Sequence, residues 1–411
     1  MVLGCAAIVA ALLLIAQDQE TIRVRSPLRA SDPRFAAYVA SLVGVPVTQG
    51  DAYQVLQNGD AIFPSMLDAI NKAKQRISFE SFIYSDGEIA RLFTAALAAA
   101  ARRGVQVRIV LDSIGSMDLP RATVKELTDA GVQVVWFNPL ASWSLEEVNY
   151  RTHRKVLVVD GAVAFTGGVG VADHWRGNAR NEDEWRDTQF CVTGPAVRAV
   201  EAAFYENWLE SGGRQAPALD PPLPARGAGA RSLVVWSNPT SGISNVKLLY
   251  LLSLAGARQS LDIQSPYFVL DSSTLDALTV ARQRGVRVRI LTEGDKTDTK
   301  SVKAASRAAY KDLLDAAYEI YEYQPTMMHV KAVIVDRRWS LVGSANFDNR
   351  SFELNDEITI AVDDSALASE LTKAFEHDLT RSTRLTAAEW RKRPLLNRAF
   401  ETFWGWFGEV L

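Results

Sequence analysis

The feature that most limits how this 411-residue chain folds is an internal duplication. RRGVQVRIVLD, starting at Arg102, and RQRGVRVRILTE, starting at Arg282, are near copies. Ahead of each lies a similar strand-like segment, QRISFESFIY from Gln75 and QSLDIQSPYF from Gln259. Behind each comes a His-x-Lys segment, at His153 and at His329. These landmarks recur in one order at a spacing of roughly 180 residues, which marks a structural unit built twice.

Within each copy, apolar strand patterns alternate with helical ones. Strands are expected over 53–57, 76–84, 105–112 and 132–137, and helices over 61–73, 88–103 and 123–130. The helix at 88–103 is rich in Ala and stops at Gly104. This pattern predicts an α/β fold of two similar lobes, each a mixed β-sheet flanked by helices. The lobes are expected over 45–211 and 232–385, joined by the Pro-, Gly- and Ala-rich linker 212–231. A pseudo-twofold between them would set the two His-x-Lys strands side by side at the lobe interface, a common place for a ligand site.

Two lines of composition narrow the function. Apolar residues make up 48% of the chain and charged residues 23%, as in a globular protein with a substantial core. The net charge of −3 counts against a dedicated nucleic-acid binder, so no nucleic acid is expected as a partner. Cys5 and Cys191 form neither a disulfide framework nor a metal motif, and Cys191, in the strand-like TQFCVTG, reads as a buried thiol.

The two ends are apolar. Residues 2–16 are nearly uninterrupted in apolar character but short for a bilayer span, so 1–30 is read as an anchor or signal-like segment. Residues 386–411 join the basic Arg391–Arg393 cluster to Phe400, Phe403, Trp404, Trp406 and Phe407. Spacings of three and four place Phe400, Phe403, Trp404 and Phe407 on one helical face, fit for a headgroup region or for packing on the protein itself. Both ends are compatible with a membrane-associated protein.

The chemistry sits in HRKVLVVD and HVKAVIVD. Only four histidines occur, and His153 and His329 hold matching places, each two residues before a lysine and seven before an aspartate. On a strand, His329 and Lys331 project from one face, while Val330, Ala332 and Ile334 line the other. A Gly-containing turn follows each motif, with Gly168 and Gly170 in the first and Ser344 and Asn346 in the second. An imidazole, an ammonium and an amide at one point suit a phosphoryl group. Clustered carboxylate and histidine ligands are missing, so neither a metal nor another cofactor is expected. His174 and His377 fall outside the motifs and read as structural or surface residues.

These residues resemble the phospholipase D superfamily, whose HxKxxxxD motif appears twice per active site. HRKVLVVDGAVAFTGG, WRDTQFCVTGPAV, IQSPYFVLD and MMHVKAVIVDRRWSLVGSANFDNRSFELNDE are similar to bacterial cardiolipin synthases of that superfamily, and the resemblance covers roughly residues 50–385. It implies phospholipase D-like lobes and a two-step phosphatidyl transfer through a covalent phosphohistidine, with phosphatidylglycerol and a membrane surface as partners. One imidazole must attack as a neutral base and the other must protonate the leaving alkoxide. The family analogy assigns His153 as nucleophile and His329 as acid, although the near-symmetric sequence reads the other way equally well. Lys155 and Lys331 would carry the charge of a metal, and Ser344 and Asn346 would donate hydrogen bonds to phosphate.

Asp160 and Asp336 complete the two catalytic sets by motif, yet each follows an apolar strand and opens a turn, which favours a structural role. Each histidine needs its second nitrogen held. Glu357 is the candidate for His329, and Asp187 for His153. Arg350 reads as a partner for such acids or for a second phosphate. Gly170 stands where the family usually has Asn, leaving the first half one amide short. The readings that compete with the transferase are a hydrolase using water, as in a phospholipase D or nuclease, and a silent lipid binder.

Overall fold

Each copy of the duplication folds into the same run of elements. The Ala-rich segment forms the helix Glu88–Arg102, and its chain reverses through Gly104, whose φ of 91° favours glycine. Gly285, with φ 83°, closes the helix Ser272–Gln283 in the same way. The strands that follow these helices are buried after their first residue, as suits parallel strands covered on both faces.

In this computed structural model, residues 21–139, 149–217, 229–238 and 244–408 are described. The first half supplies β1 (Thr48–Gln57), β2 (Arg76–Ser81), β3 (Gln106–Asp112), β4 (Gln133–Phe137), β5 (Val156–Val159), β6 (Val163–Gly167) and β7 (Thr188–Thr193). The second half supplies β8 (Ala230–Trp236), β9 (Ser260–Gln264), β10 (Arg287–Glu293), β11 (Glu319–Tyr323), β12 (Ala332–Val335), β13 (Trp339–Gly343), β14 (Ile358–Asp363) and β15 (Ser382–Arg384). The strand expected over 76–84 ends at Ser81, which frees Phe82 and Ile83 for the site described below.

The expected lobes are not two separate sheets. All these strands form one 15-stranded mixed sheet in the order β15-β11-β10-β9-β12-β13-β14-β8-β1-β7-β6-β5-β2-β3-β4. Read outward from the centre, the order is the same in both directions, with β15 added at one edge. The centre is the antiparallel pair β1–β8, in register Thr48↔Ser232 and Gln49↔Arg231. The pseudo-twofold therefore runs between strands that share hydrogen bonds. Of the expected linker, residues 218–228 lie outside the described residues, and its last two residues already belong to β8.

The core follows this symmetry. Each half buries a cluster of its own on one face of the sheet. On the other face, the helices Ala196–Glu210 and Ser365–Thr380 close one cluster drawn from both halves. Val330, Ala332 and Ile334 point into this shared cluster, and Val333 and Val335 into the second half's own, the alternation expected of a strand. Cys191 is half-buried rather than enclosed. Cys5 and the apolar residues 2–16 lie outside the described residues.

Candidate active site

Main-chain pairing across the pseudo-twofold sets the site. Arg151–Thr152 pairs in parallel with Asn355–Asp356 of the other half. This continues into a bond from the His153 N–H to the Asp356 carbonyl (2.8 Å). On the opposite side, Arg186 and Met328 form a bridge, and the His329 N–H donates to the Arg186 carbonyl (2.7 Å). Each histidine is thus pinned beside the residue that precedes the other half's acid.

The acids consequently serve the opposite histidines from those expected. His153 Nδ1 meets Glu357 Oε1 at 2.7 Å, and His329 Nδ1 meets Asp187 Oδ2 at 2.8 Å. Sequence proximity paired each acid with its own half; the register across the twofold pairs it with the other. All four side chains are buried. A carboxylate at Nδ1 fixes that proton there and leaves the Nε2 lone pair free for chemistry.

The two acids are held differently. Ser344 Oγ donates to Glu357 and accepts the Ile358 N–H (3.0 Å). The serine expected to touch phosphate therefore orients an acid instead. At the matching position, a Cβ on Gly168 would lie 2.4 Å from both Asp187 oxygens, so only glycine fits. Asp187 takes its hydrogen bonds from the Trp175 indole N–H (3.0 Å) and the Thr188 N–H (2.7 Å). Sequence reasoning missed Trp175; the only signal was its place in ADHW, just after the Gly-rich turn. Trp175 and Trp185 flank the His329 ring, with centroids at 5.5 and 5.4 Å. His174 stacks between these tryptophans, and His377 is exposed on its helix.

His153, His329, Lys155 and Asn346 face one cavity of about 240 Å³, walled on other sides by Phe82 and Tyr267. Lys155 Nζ and Lys331 Nζ each donate to the carbonyl of their own histidine, at 2.8 and 2.7 Å. Asn346 Oδ1 is buried without a hydrogen-bond partner among the described residues. Arg350, also on the cavity, donates to Asn149 Oδ1 (2.7 Å) and O (3.0 Å). Gly170 is packed away from it: a Cβ there would meet Ile83 O at 3.0 Å and the Trp175 ring at 3.1 Å. An asparagine in its place would press on Ile83 and on the tryptophan that holds Asp187.

Asp160 and Asp336 stand apart from the histidines. Asp160 accepts the N–H groups of Lys74, Gln75 and Arg76 (2.9, 2.7 and 3.0 Å). Asp336 accepts those of Arg258, Gln259 and Ser260 (2.9, 2.7 and 3.0 Å). Both adopt left-handed φ values of 53° and 52°, which Asp tolerates. Each ties the end of the motif strand to the start of its neighbour, so the motif's aspartate belongs to the frame.

Burial dominates the electrostatics. It lowers His153 to about 4, with Glu357 opposing and Lys155 adding to the fall. It takes His329 well below the ordinary histidine value, helped by Lys331 and Lys155. Both imidazoles are therefore neutral at pH 7. Burial also brings Lys155 down to about 7 and Lys331 to about 8. It raises Asp187 to about 6, against the pull of Lys331. Burial presses Glu357 upward too, but His153, Lys155 and the Ser344 hydroxyl outweigh it and hold the acid below its ordinary value. Among the described residues, no three His, Cys, Asp or Glu side chains are grouped to hold a metal ion.

Two fused halves that each offer a locked imidazole to one cavity, with a buried lysine two residues on, define a phosphatidyltransferase of the phospholipase D superfamily. The family model described as "Cardiolipin synthase, PLD-like domain" matches residues 66–183 and 250–379, and the chain belongs to that family. It is 34% identical over 392 residues to "Cardiolipin synthase 1" of Bacillus anthracis, covering 93% of this chain and 77% of the relative. It is 33% identical over 397 residues to "Cardiolipin synthase" of Geobacillus kaustophilus (strain HTA426), covering 95% and 79%. The fold is shared with phosphatidylserine synthase of Haemophilus influenzae Rd KW20, at a TM-score of 0.71 and 13% identity over 92% of this chain and 100% of that one. Polyphosphate kinase of Porphyromonas gingivalis shares it at a TM-score of 0.54 and 13% identity, over 91% of this chain and 53% of that one.

Proposed function

We propose that the chain makes cardiolipin from two molecules of phosphatidylglycerol through a phosphohistidine on His153. In the first step His153 Nε2 attacks phosphorus, the bond from phosphorus to the glycerol headgroup oxygen breaks, and His329 gives its Nε2 proton to that oxygen. In the second, the headgroup hydroxyl of another phosphatidylglycerol loses its proton to His329 and attacks phosphorus, and the P–N bond breaks. One glycerol and one cardiolipin leave, and His329 regains its proton.

The observation that carries this reading is the pair of imidazoles facing one cavity, each locked at Nδ1 by a carboxylate from the other half. The division of labour rests on the difference between the acids. Glu357, held below its ordinary value by His153 and Lys155 with the Ser344 hydroxyl adding to the effect, raises the basicity of His153 and favours it as nucleophile. His329 starts neutral and gains its proton when a phosphodiester anion offsets the charge of Lys155 and Lys331, the main electrostatic causes of its depression. Asn346 and Lys155 face the transferring group, and Lys331, buried beside His329, adds positive charge to the site.

Both substrates are bilayer lipids, so the reaction is placed at a membrane surface, here that of a bacterial cell. Among the described residues, no helix is long and apolar enough to cross a membrane. The test is to incubate the purified chain with phosphatidylglycerol in mixed micelles and identify the lipids by mass spectrometry. Cardiolipin with equimolar glycerol is expected, and none from His153→Gln. Phosphatidic acid as the sole product would replace the transferase with a hydrolase.

A further inference from the structure

The helix Leu395–Gly405 is amphipathic in the wrong sense for a protein surface in water. Its inward side carries Glu401, bound to Arg393 at 2.5 Å and set 3.8 Å from Arg307. Trp404 also turns inward, against Val269, Val302 and Ala305. The face expected to unite Phe400, Phe403, Trp404 and Phe407 is therefore split. Leu395, Leu396, Phe400, Phe403 and Trp406 point outward instead, between 45% and 84% exposed. A stripe of five large apolar side chains on one short helix calls for a covering partner.

Three observations identify that partner. First, the exposed surface is basic as well as apolar: Lys392 and Arg398 are exposed, and Glu401, which faces inward, is the only acid between Arg391 and Gly408. Basic side chains beside Leu, Phe and Trp match an anionic lipid headgroup layer. Second, the helix sits on the wall of the catalytic cavity, because Val302 lines that cavity and also belongs to the cluster that receives Trp404. Third, the first described residues lie close to this helix. The Thr21 hydroxyl donates to Ser272 (3.0 Å) and the Ile22 N–H to Ser273 (2.9 Å). Gly408 abuts Val269, where an added Cβ would come within 2.9 Å. Thr21 and Ile22 therefore contact a segment that begins three residues after the Val269 that Gly408 abuts.

We infer that this outward face is a docking surface that seats the protein on an anionic phospholipid bilayer with the catalytic cavity beside the lipid. The inference rests on the phosphatidyltransferase reading and adds to it the element that meets the membrane. The helix lies in the headgroup layer with Phe403 and Trp406 toward the acyl boundary, while Lys392 and Arg398 meet phosphates.

The full chain, with Cys5→Ser and Cys191→Ala, is labelled with an environment-sensitive dye at Phe403→Cys or, as a control, at Lys125→Cys on the exposed side of the helix Arg121–Asp129. Vesicles of phosphatidylglycerol and phosphatidylcholine should shift the Phe403→Cys label to the blue and leave the control unmoved. An unmoved Phe403→Cys label on protein that floats with the vesicles overturns the inference. So does a label already blue-shifted before lipid is added, because the face is then covered by this chain or by a second copy.

A second arm uses Leu396→Glu with Phe403→Glu and Trp406→Glu, checked by thermal melting. Turnover of vesicle phosphatidylglycerol should fall about tenfold or more, with turnover of dispersed short-chain phosphatidylglycerol unchanged. Equal turnover of vesicles by variant and parent overturns the docking role. No cardiolipin from the parent on either substrate would sink the functional proposal instead, and the label would still decide the docking.

Discussion

Replacing Glu357 by Gln tests the crossed pairing most sharply, because the isosteric change should be nearly as damaging as deletion. In the parent, the Ser344 hydroxyl accepts the Ile358 N–H, so its own proton is committed to Glu357 Oε2. A glutamine at 357 satisfies that proton only by turning its carbonyl oxygen to Ser344. Its NH₂ group then faces His153 Nδ1, formerly 2.7 Å from a carboxylate oxygen. The imidazole must accept there, which moves its proton to Nε2 and removes the lone pair that the proposed attack on phosphorus needs. The lost charge-assisted hydrogen bond accounts for about 1.5–3 kcal/mol. With the tautomer reversed, a fall in kcat of roughly 10³–10⁴ is expected, the scale of the same acid-to-amide change in a Ser-His-Asp triad. KM should move by less than about threefold, since Lys155, Lys331 and Asn346 are untouched. Cardiolipin formation followed by mass spectrometry, with a thermal melt to confirm folding, gives the comparison. Glu357→Ala, which leaves the tautomer free, should be no slower than Glu357→Gln. An amide variant within tenfold of the parent would refute the reasoning.

The other half offers a matching experiment: Trp175→Phe and Asp187→Asn should slow transfer from phosphatidylglycerol by about tenfold or more, through weaker hold on His329, the proposed acid. A phosphatidyl donor with a nitrophenol leaving group needs no proton, so its release should be spared in both variants, and equal loss on the two donors would count against His329 as acid. The pH profile follows from the lysines. In the free enzyme Lys155 and Lys331 lose their protons near pH 7 and 8, so kcat/KM should decline as pH rises through that window. It should fall again toward pH 4, where His153 takes up a proton, and a profile flat from pH 6 to 10 would contradict the buried charges. Gly168→Ala should cost about 1–3 kcal/mol in a denaturant melt and most of the activity, because its Cβ would lie 2.4 Å from the Asp187 oxygens.

Much of this was legible in the sequence, and what escaped has a physical cause. Duplication and strand alternation are local properties, so the βαβ order, the glycine stops at Gly104 and Gly285, and the inward faces of Val330, Ala332 and Ile334 could be read directly. The pairing of β1 with β8, and of Arg151–Thr152 with Asn355–Asp356, depends on which edges meet after each half has folded. Nothing in the spacing of His329 and Glu357 encodes that register, so the right acids were assigned to the wrong histidines. Ser344 was misplaced for a related reason: the turn could be located, but not the direction of its hydroxyl. Gly170 shows the reverse case. Its departure from the family pattern was visible in the sequence, whereas the close packing of Ile83 and Trp175 around it is visible only in three dimensions.

The crossing of the acids also has a consequence for inheritance. Although the two halves descend from one duplicated segment, neither owns a complete reactive group: the residue that sets the tautomer of His153 is encoded some 200 codons downstream of it, and that of His329 lies upstream in the other copy. A change at Glu357 is therefore felt by the first half's chemistry, and one at Asp187 by the second's. Selection cannot relax one copy while the other carries the activity, as duplication usually permits. The halves are bound to drift together, and a half transplanted into a related enzyme would bring along its partner's acid and leave its own behind.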